Sequence, residues 1–315
     1  PLLPFESCVL GSINLLRMMR GNQVNWDKLR DTVGLAVRFL DDVIEAQRYP
    51  LSETEANTKR NRKIGLGVMG FADMLIRMGV PYASEKALQI GEETMRFITD
   101  TGRQASAELA GRRGAFANFK GSLWEKQGAA PLRNATVTTI APTGTISIIA
   151  GVSSSIEPVF ALSYFRRVLE GQRLLEEHPL FVAEAKKRGF YSPGLMAEIA
   201  RRGSAQGIDA VPDDVKKLFA CALDVAPAWH VKMQAAFQKH THNAVSKTVN
   251  LPPDAGEDDV REAYLLAYKL GCKGITVYRY GCKEEQTLSF PAAEPGGVDL
   301  ELDAEETGSC RRCAD

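Results

Sequence analysis

The chain has 315 residues, 44% of them hydrophobic and 8% aromatic, which is enough apolar material for one large core or two ordinary domains. Lysine plus arginine and aspartate plus glutamate each number 39, so no excess of positive charge favours DNA, RNA or an anionic membrane as a partner. The longest apolar runs, such as residues 146–152, are too short to span a bilayer. Composition therefore predicts a globular cytoplasmic protein, and the start at Pro1 predicts that the chain is part of a longer one.

Apolar residues that recur every three or four positions predict helices along much of the chain. Asn25 is a suitable N-cap for a helix that runs to Ile44, and Ser84 is a suitable N-cap for a long helix that ends near Gly114. Further helical patterns cover residues 71–78, 171–188, 212–223, 228–240 and 257–270. Short β-branched segments predict strands at residues 134–140, 244–251 and 274–278. Because strands and helices alternate, the sequence predicts an α/β architecture.

Residues 65–70 have the spacing Gly-x-Gly-x-x-Gly, which occurs in dinucleotide-binding loops. That motif needs a buried parallel strand before it, whereas residues 57–63 are polar and basic. We therefore interpret the glycines as positions of close packing. The alternative, a nicotinamide-dependent oxidoreductase, lacks the strand that its fingerprint requires.

A turn rich in small and hydroxyl residues follows the strand predicted at residues 134–140. It consists of Pro142, Thr143, Gly144, Thr145, Ile146 and Ser147. Its hydroxyls and the amide of Gly144 suit phosphate oxygens, and we expect them to line a concave surface near a helix N-terminus. An ordinary glycine turn is the alternative, because no lysine follows as a P-loop requires.

Six cysteines are too few and too scattered for a disulfide scaffold, so we expect reduced thiols. They are Cys8, Cys221, Cys272, Cys282, Cys310 and Cys313. Cys221 lies in an apolar stretch and is predicted to be a core residue. His240 and His242 are interpreted as surface or capping residues, so no metal site is predicted.

From residue 288 the chain is acidic and rich in proline and glycine, which predicts a folded domain at 1–287 and a flexible, disordered tail at 288–315. The tail ends in Cys310-x-x-Cys313. This pair is half of a zinc site, a dithiol that exchanges with a disulfide, or an inert exposed pair. Two further zinc ligands are not evident, and the arginines between the cysteines favour thiolate, so exchange is the preferred interpretation.

Five blocks together, at residues 1–16, 64–79, 141–160, 234–252 and 270–280, resemble adenosylcobalamin-dependent (class II) ribonucleotide reductases. The resemblance covers about nine tenths of the chain and implies the C-terminal part of a catalytic subunit. The implied fold is the later part of a ten-stranded α/β barrel wrapped by helices. The implied activity is reduction of ribonucleotides to deoxyribonucleotides by a cobalamin-initiated thiyl radical, with diphosphate or triphosphate substrates left open.

The resemblance also assigns roles to individual residues. Cys8 matches one half of the substrate-reducing dithiol, and residues 142–147 match the turn that holds the phosphates. Cys310 and Cys313 match tail cysteines that re-reduce the active-site disulfide with a thioredoxin-type reductant. The radical cysteine of the family lies in Asn-x-Cys-x-Glu, which this sequence lacks, so the motif is expected upstream of Pro1 and the chain alone is expected to be inactive.

Two alternatives to this function remain at the level of sequence. One is the large subunit of a class I ribonucleotide reductase, which uses adjacent tyrosines to receive a radical; here Arg279 separates Tyr278 from Tyr280. The other is a noncatalytic remnant that only binds nucleotide. Assembly as a homodimer is also left open.

Overall fold

The structure is a computed structural model that describes residues 2–167 and 173–282. Its helices are α1 (Trp26–Ala46), α2 (Ser52–Asn61), α3 (Phe71–Met78), α4 (Glu85–Arg113), α5 (Leu123–Lys126), α6 (Gly144–Ala150), α7 (Pro179–Arg188), α8 (Pro193–Arg202), α9 (Asp213–Leu218), α10 (Pro227–Gln238) and α11 (Glu257–Lys269). Its strands are β1 (Val9–Asn14), β2 (Met19–Arg20), β3 (Gln23–Val24), β4 (Ile64–Met69), β5 (Ser163–Arg167), β6 (Arg173–Glu177), β7 (Thr248–Leu251) and β8 (Thr276–Arg279). The predicted boundary at 287/288, the tail, Cys310 and Cys313 lie outside the described residues.

Within the described part of the chain, five extended segments lie side by side and parallel. β1 pairs with β4, and β4 pairs with residues 136–140 through a bridge between Leu66 and Thr138. The bridge between Ile140 and Val245 adds the segment that leads into β7, and β7 pairs with β8. Helices connect each segment to the next, as parallel strands require. The predicted α/β architecture is therefore confirmed.

The glycines of β4 allow its neighbour to approach closely. A Cβ atom at Gly67 would lie 2.3 Å from the carbonyl oxygen of Thr139, and one at Gly65 would lie 2.7 Å from the Thr139 side chain. The Thr139 carbonyl is backbone and excludes a side chain at Gly67, whereas a side chain at Gly65 would require the side chains of Leu10 and Thr139 to shift. The close-packing interpretation is confirmed, and because these glycines lie inside a strand, they do not form the loop of a dinucleotide fingerprint.

The long helices cover one side of this sheet with a continuous apolar core. Asn25 and Ser84 cap α1 and α4 as predicted, accepting hydrogen bonds from the amides of Lys28 and Ala87. α1 buries Leu29, Val33, Val37, Leu40 and Ile44. None of the helices in the described ranges is long and apolar enough to cross a membrane.

A buried ion cluster joins α1 to the segments that precede two strands. The Asp41 carboxylate is fully buried and lies 2.8 Å from Nε of Arg62, 3.3 Å from Nε of Arg133 and 3.0 Å from Nδ2 of Asn134. Burial raises the pKa of Asp41, but the hydrogen bonds and positive charge of Arg62 and Arg133 outweigh it and hold the pKa below its usual value. The cluster therefore fixes how the chain enters β4 and residues 136–140.

Several predicted boundaries are wrong. Residues 171–188 are not one helix, because β6 ends at Glu177 and α7 begins only at Pro179. Proline suits the first turn of a helix and disfavours helical backbone in the residue before it. The helix predicted at 212–223 ends at Leu218, and the strands predicted from 244 and 274 begin at Thr248 and Thr276.

Candidate functional site

The phosphate turn predicted from the sequence leaves residues 136–140 at their carboxyl end and becomes the first turn of α6. Thr143 is the N-cap and has left-handed backbone, with φ 57°. This conformation costs energy for a β-branched residue. It directs the chain so that α6 begins at Gly144, and the free amides of the first helical turn point back toward the turn.

Two of the three hydroxyls in the turn form hydrogen bonds inside the protein. The amide of Ser155 donates to Oγ1 of Thr143 at 2.7 Å, and Oγ of Ser147 lies 2.8 Å from Oγ of Ser154. Thr143 and Ser147 are buried, whereas Thr145 is exposed. The expectation that all three hydroxyls line an open surface is therefore wrong for these two, because the chain that follows α6 folds back onto them.

The remaining groups of the turn are open to solvent. A Cβ atom at Gly144 would meet no other atom within 4 Å, and Pro142, Thr145 and Ile146 are exposed. An anion can thus approach the amides at the start of α6 from outside. Phosphate binding by residues 142–147 remains a prediction, with backbone amides and Thr145 as the accessible groups.

Residues 153–157 support the turn from behind and are anchored to α3 and to the residues that precede α4. The amide of Ser153 donates to Oδ2 of Asp73 at 2.6 Å, and Oη of Tyr82 donates to the carbonyl oxygen of Ile156 at 2.7 Å. Asp73 also contacts His178 at 3.1 Å. Burial raises the pKa of Asp73, but the hydrogen bond and charge of His178 outweigh it and lower the pKa.

A fully buried lysine completes this support. Nζ of Lys247 contacts the Glu157 carboxylate, the carbonyl oxygen of Thr248 and, at 2.8 Å, Nδ1 of His230. The Nε2 atom of His230 lies 3.1 Å from the carbonyl oxygen of Ala222, so the proton is placed on Nε2. Burial and the Lys247 charge lower the pKa of His230 to about 3, and burial lowers the pKa of Lys247 against the opposing Glu157 charge. All three N–H donors of the ammonium therefore have acceptors.

Sequence reasoning did not single out Lys247, Glu157, His230 or Asp73. One signal was available, because Lys247 is the only charged residue in the strand pattern at residues 244–251. Such a residue is buried only when it is paired. His242 was misinterpreted: it is largely covered, its Nδ1 accepts from the amide of Val137 at 3.1 Å, and burial, together with nearby positive charge, lowers its pKa to about 4.

Cys8 lies directly before β1 and is partly buried. Its Sγ contacts the carbonyl oxygen of Val9 at 3.8 Å. Burial raises the pKa of the Cys8 thiol to about 11, the charge of Lys63 lowers it and the charge of Glu6 raises it. Cys8 is therefore a neutral thiol at physiological pH and can donate a hydrogen atom or a proton.

The structure does not bring the predicted site residues together. Cys8 precedes the first parallel strand, whereas the turn at 142–147 follows the third, so they occupy opposite ends of the strands. Cys221 is buried as predicted, and Cys272 and Cys282 are free thiols. Among the described residues, no three His, Cys, Asp or Glu side chains form a group that could hold a metal ion.

Comparison with known proteins identifies the family. The family described as "Ribonucleotide reductase, barrel domain" matches residues 4–131 and 123–278. The chain is 50% identical over 310 residues to the vitamin B12-dependent ribonucleoside-diphosphate reductase of Mycobacterium tuberculosis H37Rv, covering 98% of this chain and 43% of the relative. It is 52% identical over 295 residues to the protein of the same name from Thermoplasma acidophilum, covering 93% and 38%.

More distant relatives share the fold. The ribonucleoside-diphosphate reductase subunit alpha of Chlamydia pneumoniae is 31% identical over 329 residues, covering 92% of this chain and 31% of the relative. The Actinobacillus ureae class Id ribonucleotide reductase alpha subunit superposes with a TM-score of 0.72 at 25% identity, covering 87% of this chain and 50% of that one. The chain spans less than half the length of these curated relatives. The predicted barrel fold is confirmed, and the chain belongs to the ribonucleotide reductase barrel-domain family.

Proposed function

We propose that this chain is part of an adenosylcobalamin-dependent ribonucleotide reductase that converts ribonucleoside diphosphates to deoxyribonucleotides. The main support is the 50% identity to vitamin B12-dependent reductases over nearly the whole chain, against 31% to the Chlamydia subunit. The two B12-dependent relatives are named diphosphate reductases, which favours that substrate over triphosphates.

In this proposal the turn at 142–147 binds the phosphates of the substrate. The Thr143 and Ser147 hydroxyls fix the backbone, and the exposed amides at the start of α6 and the Thr145 hydroxyl face the anion. Backbone amides at a helix start bind phosphate without a cationic side chain. This explains how the turn works without the lysine of a P-loop.

Cys8 supplies one of the two thiols that reduce the substrate. The 2′-hydroxyl of the ribose leaves as water, two thiols give two electrons and two protons, and a disulfide forms between Cys8 and a second cysteine outside this chain. The raised pKa of Cys8 suits this step, because a neutral thiol still carries its hydrogen. The product is a deoxyribonucleotide, and the disulfide must be reduced before the next turnover.

Adenosylcobalamin, when bound, supplies the radical that starts the reaction. The described residues show no feature specific for a corrin. Buried polar atoms without a hydrogen-bond partner occur in the described part of the chain, such as Ser155 Oγ and His178 Nδ1, but none of them is specific for a corrin. We therefore assign no residue of this chain to the cofactor.

Cys310 and Cys313 complete the proposal as the dithiol that passes electrons from a thioredoxin-type reductant to the Cys8 disulfide. Their support is the Cys-x-x-Cys spacing and the arginines between them. A cytoplasmic location, where such reductants keep thiols reduced, fits this cycle. A homodimer is compatible with the proposal but has no separate support.

The class I alternative is favoured by one observation, the match to the class Id alpha subunit and the Chlamydia subunit. It predicts that activity needs a second, radical-generating subunit. The remnant alternative predicts nucleotide binding without turnover.

The test uses the full-length parent protein with a ribonucleoside diphosphate and a small dithiol, and measures deoxyribonucleotide by chromatography. We expect product only when adenosylcobalamin is added. Product that needs a second subunit instead of adenosylcobalamin supports class I, and nucleotide binding without product under both conditions supports the remnant. Removing residues after Gly308 should abolish turnover with a thioredoxin-type reductant and spare turnover with the small dithiol.

A further inference from the structure

Lys63 and Cys8 directly precede two paired strands. β1 and β4 are parallel, and their pairing begins with Val9 opposite Ile64, so Cys8 and Lys63 are the residues immediately before the first pair. Both residues therefore lie at the amino end of the same two neighbouring strands.

A buried carboxylate holds this ammonium group in place. Nζ of Lys63 lies 2.7 Å from Oε2 of Glu6, and Nδ2 of Asn61 donates to Oε1 of Glu6 at 2.7 Å. The Glu6 side chain is fully buried and the Lys63 side chain is 13% exposed. Because a buried ion pair is costly to desolvate, its presence calls for a reason beyond stability.

Both charges act on the thiol, in opposite directions. The Lys63 charge lowers the pKa of Cys8 and the Glu6 charge, two residues before it in the chain, raises it. Burial dominates, so the thiol stays neutral at rest. The pair thus leaves the resting thiol protonated while keeping a cation beside the sulfur.

We propose that Lys63 is a positioning residue for the redox cycle of Cys8, where its ammonium stabilises the thiolate released when the Cys8 disulfide is reduced, and that Glu6 limits this effect. An incoming dithiol thiolate attacks the partner sulfur and forms a new S–S bond. The old S–S bond breaks, its electron pair goes to Cys8, and the resulting thiolate later takes a proton from water. The disulfide step rests on the proposed function; the electrostatic effect of Lys63 on the thiol does not.

The test measures alkylation of Cys8 by iodoacetamide against pH, by peptide mass spectrometry, in the 315-residue chain. Only the thiolate reacts, so one unit of pKa changes the rate about tenfold below the pKa. We expect Lys63→Met to slow alkylation about tenfold and Glu6→Gln to speed it several-fold. Lys63→Arg, which keeps the charge, and the double variant Glu6→Gln/Lys63→Met should both remain near the unmodified chain.

Two cysteines of the same chain serve as controls. Cys282 is exposed and reports the reagent, whereas Cys221 is buried and becomes reactive if a variant unfolds. Unchanged Cys8 rates in Lys63→Met and Glu6→Gln, with Cys221 still protected, would overturn the inference. If a Lys63→Met chain exposes Cys221, the comparison of Lys63→Arg with Glu6→Gln decides instead, since equal rates in those two would contradict the proposal.

The alkylation rates of Cys8 do not depend on whether the parent protein is catalytically active. If the parent protein fails to reduce ribonucleotides but the alkylation rates shift as expected, only the proposed function fails. In an active parent protein, Lys63→Met should lower kcat with a small dithiol about tenfold and leave the KM for nucleotide unchanged. A changed KM with unchanged kcat would contradict a role at Cys8.

Discussion

The two regions that the proposed function uses are both anchored by a buried lysine–glutamate pair. At the amino end of the strands, Lys63 and Glu6 hold the segment that enters β1. At the phosphate turn, Lys247 and Glu157 hold the segment that follows α6. Each ion pair anchors a segment that has no regular secondary structure, and each segment lies next to a predicted site.

The pairs differ in which charge faces solvent. Near Cys8 the carboxylate is fully buried and the lysine is 13% exposed, whereas near the turn the lysine is fully buried and the carboxylate is 23% exposed. The Lys247 ammonium donates its three hydrogen bonds to protein acceptors, so it has no N–H left for a phosphate. In our proposals, therefore, Lys63 acts on the chemistry of Cys8, whereas Lys247 supports the backbone of the turn that is proposed to bind phosphate.

The difference between the two pairs can be tested by replacing each lysine with methionine and measuring the free energy of unfolding. Lys247→Met leaves Glu157 and Nδ1 of His230 without their partner in a buried site, and we expect a loss of about 3 to 5 kcal/mol in the free energy of unfolding. Lys63→Met should cost about half as much, because the Glu6 carboxylate keeps two N–H donors, the amide of Leu3 and Nδ2 of Asn61, each at 2.7 Å. Urea unfolding measures both. Equal losses of unfolding free energy in the two variants, or a larger loss for Lys63→Met, would contradict the proposed difference between the two ion pairs.

The sheet between the two regions should tolerate no side chain at Gly67. Gly67→Ala places a Cβ against the Thr139 carbonyl, and we expect a loss of about 3 kcal/mol in unfolding free energy. Gly34→Ala is the matched control, since it lies within α1 with no atom within 4 Å of its Cβ position and should stabilise by about 0.5 to 1 kcal/mol. Similar effects of the two substitutions would contradict the close packing of β4.

Acid should destabilise the protein through two largely buried histidines. His230, beside Lys247, has its pKa lowered to about 3, and His242, beside residues 136–138, to about 4. Unfolding raises both toward about 6.5, so the unfolded chain binds more protons and stability is full above pH 6.5 and falls as the pH decreases.

We expect each histidine to contribute a loss of about 2 kcal/mol between pH 7 and pH 5, because both folded pKa values lie well below pH 5. His242→Asn keeps an acceptor for the Val137 amide and should flatten the decline measured by urea unfolding at each pH. A decline of the same size in that variant would show that His242 does not titrate as described.

The smallest expected effect concerns affinity at the turn. Gly144→Val adds a side chain where the open surface now lies, and in the parent protein it should weaken nucleotide binding about tenfold, equivalent to about 1.4 kcal/mol. Isothermal calorimetry with a nucleoside diphosphate measures the affinity, with Gly34→Ala as the control. Affinity equal to that of the unmodified protein would indicate that phosphate does not approach the turn there.

The sequence could predict what depends on local pattern and on resemblance. The caps of α1 and α4 and the glycine packing of β4 were accessible because residue type and spacing determine them. The barrel fold was accessible only through the family resemblance. The start of α7 was missed because a charged, leucine-containing pattern fits helix or hairpin, and only Pro179 marks the change.

The site was harder to predict, because its contacts join residues far apart in sequence. Lys247 meets Glu157 across 90 positions, and Asp73 meets His178 across 105. The burial of Thr143 and Ser147 follows from the return of residues 153–157, which no local pattern indicates.

The most direct test of the central claim, that Cys8 reduces the nucleotide, compares Cys8→Ser with Cys221→Ser in the full-length parent protein. Both substitutions replace one sulfur, but Cys221 is a buried core residue with no proposed role. With adenosylcobalamin and a dithiol, we expect Cys8→Ser to abolish multiple turnover while cobalamin cleavage persists, and Cys221→Ser to retain deoxyribonucleotide formation. Normal multiple turnover by Cys8→Ser would contradict the account.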